Sequence, residues 1–244
     1  MTGAPVWAPY CGPGPAPDEW VARWNGDPVL LAALATVLGL VLWRTSGRER
    51  ATGAAAVLVL AVVFVSPLCA LSSSLFAART VHHVLLVAIA APLIGWTLPR
   101  GKGGGLALAT FAQAALFWAW HAPAAYAWAL SNDGAYWLMQ ISLFVPAVWF
   151  WAAVRRAPAP AAVAALLLAM VAMGLLGALL TFTGQPVYAP HLLTTAAWGL
   201  TPLEDQQAAG LIMWAPGAAP YLAGGGWRLG RWIGPDFRAD ATSA

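Results

Sequence analysis

The sequence predicts an all-α, polytopic membrane helix bundle with seven transmembrane helices, its N-terminus outside and its C-terminus inside. Three observations predict it. Of 244 residues, 61% are hydrophobic and only 9% charged, against roughly 25% charged in a soluble domain; the chain lacks the charge to cover an ordinary water-facing surface. The apolar residues come in long runs rather than alternating, and about 20 such residues cross a hydrocarbon core. The basic residues gather at every second junction between the runs. A soluble enzyme, a disordered chain and a nucleic-acid-binding module are thereby excluded. The net charge of +3 reads as orientation rather than as an anionic partner.

The elements follow in order. Residues 1–27 are a Pro/Gly-rich extracytoplasmic tail; no basic segment leads directly into an apolar run, as it would in a cleaved signal peptide. The first span, 28–43, starts with Asp27 as cap and Pro28 in the first turn. Spans at 53–72, 81–99, 106–128, 136–154, 160–182 and 207–227 complete a membrane domain of residues 28–228, and 229–244 form a cytoplasmic tail. Pro216–Gly217 should kink or break the last span. Arg44, Arg48, Arg50, Arg100, Lys102, Arg155, Arg156, Arg228, Arg231 and Arg238 occupy alternate junctions, which leaves only Arg23 and Arg79 on the other side. The positive-inside rule places the larger group in the cytoplasm.

With that topology the rare polar residues sort by side. His82 and His83 open the third span, His121 lies in the outer part of the fourth, and His191 in the outer loop 183–206. Adjacent helical residues point about 100° apart, so one of the His82–His83 pair is expected to face the bundle and the other to turn sideways. Cys11, in the tail, and Cys69, at the outer end of the second span, fall on the same side, as do Met139 and Met213. Cys, His and Met are ligands that copper favours, with thiolate and thioether selecting Cu(I). Cys11, Cys69, His82, His83, His121 and Met213 are therefore the candidate metal ligands and Cu(I) the candidate ion. A disulfide between Cys11 and Cys69 is an equal reading in an oxidising compartment. Haem ligation by His83 and His121 also stays open. No catalytic residue is expected. The lone Lys102 lies in a cytoplasmic loop, which excludes a retinal Schiff base, and the span centres lack the ionisable groups of a proton pump. No phosphate loop, dinucleotide fingerprint or zincin pair is present.

The segment GLTPLEDQQAAGLIMWAPG at 199–217 is the most distinctive. Thr201 and Glu204 spell a capping box. Glu204 and Asp205 sit at the positive end of a helix dipole, and Gln206 carries polarity into the span. Asp205 and Gln206 are expected to hydrogen-bond inward, because an unpaired buried polar group costs roughly 1–3 kcal/mol. This segment resembles the signature of the caa3-type cytochrome c oxidase assembly factor family, the CtaG-like membrane proteins. SPLCALSSSLF at 66–76, VHHVLLVAIAAPLI at 81–94, WHAPAAY at 120–126, GLLGALLTF at 174–182 and the entry YCGPGPAPDEWVARWNGDPVLL at 10–31 resemble further family blocks.

The resemblance implies a multi-pass protein of the bacterial inner membrane that helps mature haem–copper oxidase by loading copper, with oxidase subunits and periplasmic copper chaperones as partners. His83, His121, Asp205, Gln206 and Met213 carry over. The sequence departs from the family where Arg79, Tyr136 and Gln140 replace histidines. A non-enzymatic assembly factor is the expected function. A copper transport protein and a structural chaperone of oxidase membrane subunits are the alternatives. The Cys11 tail is expected to be flexible enough to sample donor and acceptor proteins.

Overall fold

The computed structural model describes residues 7, 9–99 and 104–241, with side chains as far as Ile233 and the backbone alone near the end of the last helix. Arg100 and Lys102 lie outside the described residues, as does the side chain of Arg238. Among the described residues every regular element is helical: α1 (Pro28–Arg44), α2 (Gly47–Phe64), α3 (Pro67–Ser74), α4 (Phe76–Val84), a π-helical turn (Leu85–Ala90), α5 (Ala91–Thr97), α6 (Leu106–His121), α7 (Pro123–Ala129), α8 (Asp133–Arg156), α9 (Ala159–Phe182), α10 (Pro202–Trp214) and α11 (Ala219–Ala241).

Among the described residues three helices are long and apolar enough to cross a membrane unaided: Phe76–Thr97, Asp133–Arg156 and Ala159–Phe182. A fourth crossing arises if α2 and α3, bent by 43°, count as one. Local chemistry explains the breaks. Pro67 lacks an N–H and opens α3, whose first turn is capped by the Ser66 hydroxyl accepting from Leu68 N at 3.2 Å. Pro123 also opens α7, without a side-chain cap, so the run expected at 106–128 divides after His121. Pro216–Gly217 lies in the turn between α10 and α11, as expected. Asp27 caps α1 through Val29 N at 2.7 Å and Leu30 N at 3.2 Å. The boundary at 228 does not interrupt the last helix, since α11 runs on to Ala241.

The bundle closes tightly on α9 and α10. A Cβ at Gly177 would lie 2.7 Å from the Gly210 carbonyl oxygen and 3.0 Å from Trp214 N, so the two backbones meet at a distance only glycine allows. One end of the bundle is basic. Arg155 donates to the carbonyls of Gly95 at 3.3 Å, Leu98 at 3.1 Å and Trp96, Arg156 to Pro99 at 2.8 Å, and Arg228 to Ala157. These guanidiniums satisfy the orphan carbonyls that helix C-termini leave behind. The opposite end, about 35 Å away along the 24 residues of α8, holds the histidines.

Candidate functional site

His82, His83 and His121 are 0%, 1% and 3% exposed and form one cluster. The ring of His83 lies 5.7 Å from that of His82 and 5.5 Å from that of His121, centre to centre. Both members of the adjacent pair are buried, contrary to the expectation that one would turn aside. Phe64 covers His82 edge-on at 5.2 Å and Tyr136 closes over it. The helix also begins earlier than the span at 81–99 suggested. The α4 start at Phe76 places the pair in the second turn, and the π-helical turn follows at once. Wider π turns free carbonyls, and the Trp151 indole takes the one on Val87 at 2.9 Å.

The imidazoles differ in their partners. His121 Nδ1 lies 2.7 Å from the Phe117 carbonyl, which only a donor N–H can satisfy, so the proton sits on Nδ1 and Nε2 keeps its lone pair. That Nε2 has no partner, and neither ring nitrogen of His83 has one, nor Nδ1 of His82. His191 is different. Its Nε2 meets Tyr126 Oη at 2.7 Å and its Nδ1 the Ser74 carbonyl at 3.2 Å, so it pins the connection between α9 and α10 to the bundle. Burial pushes its pKa down to about 3, keeping it neutral. Among the described residues no group of three or more His, Cys, Asp or Glu side chains is arranged to hold a metal ion.

Arg79, expected in the junction between the second and third spans, instead lies within α4 and is 0% exposed. Its Cζ lies 5.3 Å from the centre of the Tyr136 ring, and none of its three guanidinium nitrogens has a hydrogen bond. Tyr136 Oη in turn lies 3.5 Å from His82 Nε2, 3.6 Å from Cys11 Sγ and 4.0 Å from Cys69 Sγ. The two cysteines form a disulfide with Cα atoms 5.4 Å apart. As a disulfide neither offers a thiolate, so in this state they are not the metal ligands expected. The tail is correspondingly held down rather than free to sample partners. Tyr10 stacks on Tyr136 at 5.1 Å and donates to Asp27 at 2.6 Å, holding that carboxyl below the usual range. The Pro15 carbonyl accepts from Ser74 at 2.8 Å and from Trp198 at 3.3 Å.

Residues 106–234, just over half of the chain, match the model of the cytochrome c oxidase caa3 assembly factor family. The chain belongs to that family. No curated protein and no solved structure gives a match. The matched stretch holds the WHAPAAY and GLTPLEDQQAAGLIMWAPG segments, and the geometry gives the assembly-factor signature a physical role. Asp205, 0% exposed, accepts from Phe76 N at 2.7 Å and Ala77 N at 3.0 Å, capping α4 from another helix. Gln206 accepts from Val187 N at 2.8 Å and donates to the Gln185 carbonyl at 3.2 Å. The inward hydrogen bonding expected of both is present. Glu204 completes the capping box with Thr201 at 2.8 Å. Met213, a candidate ligand on α10, is fully buried where Gly177 of α9 makes room for its Cβ. Arg79 and Tyr136 stood in the sequence only as departures from the family's histidines, not as members of the cluster. The signal for Arg79 was present but misread, because a cation three residues before a buried histidine shares its helix face.

Proposed function

We propose that this assembly factor is a seven-span inner-membrane protein, N-terminus outside and C-terminus inside, that serves cytochrome c oxidase maturation by holding copper at its outer face. One observation carries the copper reading: three touching, buried imidazoles, of which His83 has both nitrogens unpartnered and His121 has Nε2 free. A buried polar group without a partner costs about 1–3 kcal/mol, and an incoming ion would relieve that cost. The seven apolar runs fall on α1, α2 with α3, α4 through α5, α6 with α7, α8, α9, and α10 with α11, which supports seven spans. The gathering of Arg155, Arg156 and Arg228 at the end remote from the histidines supports the orientation.

The mechanism is ligand exchange. A soft ion with two or three ligands moves by stepwise replacement of imidazole, thioether or thiolate donors, from a periplasmic copper chaperone to the cluster and on to an oxidase subunit. No bond of a substrate is broken. The test is a deletion strain complemented with wild type or His83→Ala. Oxidase copper and activity should return with the wild type and stay low with the variant, at equal membrane abundance. Full oxidase copper with His83→Ala sinks the reading. A structural chaperone is the second reading, favoured by α1, which leaves Val29, Leu40 and Trp43 exposed as an apolar face. Normal oxidase copper with fewer assembled complexes in the deletion strain selects it.

A further inference from the structure

Two features of the histidine end meet at one side chain. The first is the disulfide. Both its sulfurs lie within 4.0 Å of Tyr136 Oη, and that same oxygen is 3.5 Å from His82 Nε2. Sulfur and imidazole therefore flank one hydroxyl in a buried site, with Cys69 and His82 1% and 0% exposed. The second is Arg79, whose guanidinium stacks over the ring of the same tyrosine. It is fully buried beside the Tyr126 and Tyr136 hydroxyls, neither of which makes a well-formed hydrogen bond with it. Arginine stays charged in proteins, and a buried charge without a counter-ion costs several kcal/mol. Among the described residues no carboxylate pairs with it. The nearby Asp205 is committed to the amides of Phe76 and Ala77, and a disulfide carries no charge.

We propose that reducing the disulfide creates a Cu(I) site from Cys11, Cys69 and His82, with Arg79 as its fixed counter-cation. The proposal rests on the copper reading above and adds its redox control. A dithiol reductant supplies two electrons and two protons. The S–S bond breaks, two S–H bonds form, and the reductant leaves as a disulfide. Cu(I) then displaces both thiol protons to solvent. The product is a bis-thiolate copper unit of net charge −1, which the guanidinium neutralises. Zn(II) fits less well. It seeks four ligands, and two thiolates would leave it neutral with the Arg79 charge unmatched. The oxidised chain keeps the soft ligands locked away and the tail closed; the reduced chain offers both thiolates beside an imidazole.

The experiment is an anaerobic Cu(I) titration of the full chain in nanodiscs against a chromogenic Cu(I) chelator. Reduced wild type should bind one ion, with X-ray absorption showing two Cu–S bonds. Oxidised wild type, which keeps the native fold, and reduced Cys11→Ser should each bind about a hundredfold more weakly, for want of two thiolates or one. Arg79→Gln should weaken reduced binding on the order of tenfold, the cost of removing a nearby opposite charge, and Arg79→Lys should restore it. Equal affinity in the reduced, oxidised and Cys11→Ser forms overturns this site but leaves copper on the histidine cluster standing. No binding in any form overturns both. Affinity unchanged in Arg79→Gln overturns the counter-cation.

Discussion

The two ends of the bundle solve the same problem in opposite ways. At the arginine end, charged side chains are spent on helix C-termini: Arg155, Arg156 and Arg228 all terminate on backbone carbonyls. At the histidine end, polar groups are buried and left open. Arg79, His83, His121 and Gln140 have nitrogens or oxygens without a partner, beneath a tail fastened by Cys11–Cys69. Buried polar groups are ordinarily satisfied. An end whose guanidiniums each reach a backbone carbonyl, with Arg228 Nε left over, and an end whose guanidinium reaches none are under different demands. The first secures the fold, and the second is the end to which the copper proposal assigns its ligands.

The sharpest way to break this comparison is all-or-none. A reporter fused after Arg238 should be active only in the cytoplasm, and one inserted within 183–198 only outside; the reverse pattern would overturn the orientation. Next in size is Asp205→Ala. It removes the acceptor of one buried and one part-buried N–H group, at about 1–3 kcal/mol for the buried one, and should lower both the unfolding temperature and oxidase maturation. Full oxidase activity in that variant would confine the motif to stability.

Cys69→Ser should follow, at about 2–4 kcal/mol. It should also free the tail, read as faster deuterium exchange across 9–27. Smaller again is the effect of acid on His191. Its pKa falls from 6.5 to about 3 on burial, so the neutral form is the one the fold keeps. Its share of stability is complete above pH 6.5 and drains as the pH falls toward 3. Wild type should lose stability between pH 7 and 4.5 by more than His191→Gln does; parallel losses would remove His191 from the account. The smallest change belongs to the arginine end. Arg155→Ala should cost about 1 kcal/mol and leave oxidase maturation untouched. A loss of maturation there would erase the division of labour between the ends.

Features encoded locally were legible in the sequence. Asp27 with Pro28, Thr201 with Glu204 and the break at Pro216–Gly217 each depend on neighbours within four residues, and each is where the sequence placed it. The breaks at Ser66–Pro67 and Ala122–Pro123 carried the same proline signal but lay inside continuous apolar runs, where hydrophobicity masked it. The burial of Arg79 was not legible. It requires α4 to begin at Phe76, and the group that caps that start is Asp205, 129 residues further on. The full burial of His82 likewise depends on Phe64 and Tyr136, from two other helices. The disulfide stood in the sequence as one of two equal alternatives, because spacing alone does not bring Cys11 to Cys69.

The Asp205 cap also has a consequence in time. Chains emerge from the ribosome N-terminus first, at about 5–20 residues per second. When the histidine pair enters the membrane, the carboxylate that holds the first turn of its helix does not yet exist. It arrives only with α10, roughly 6–26 seconds later for a gap of 129 residues. Until then Phe76 and Ala77 lack their acceptor and the start of α4 is free to fray. The cluster is therefore set last, and a truncated or stalled chain leaves the membrane holding histidines without the helix start that positions them.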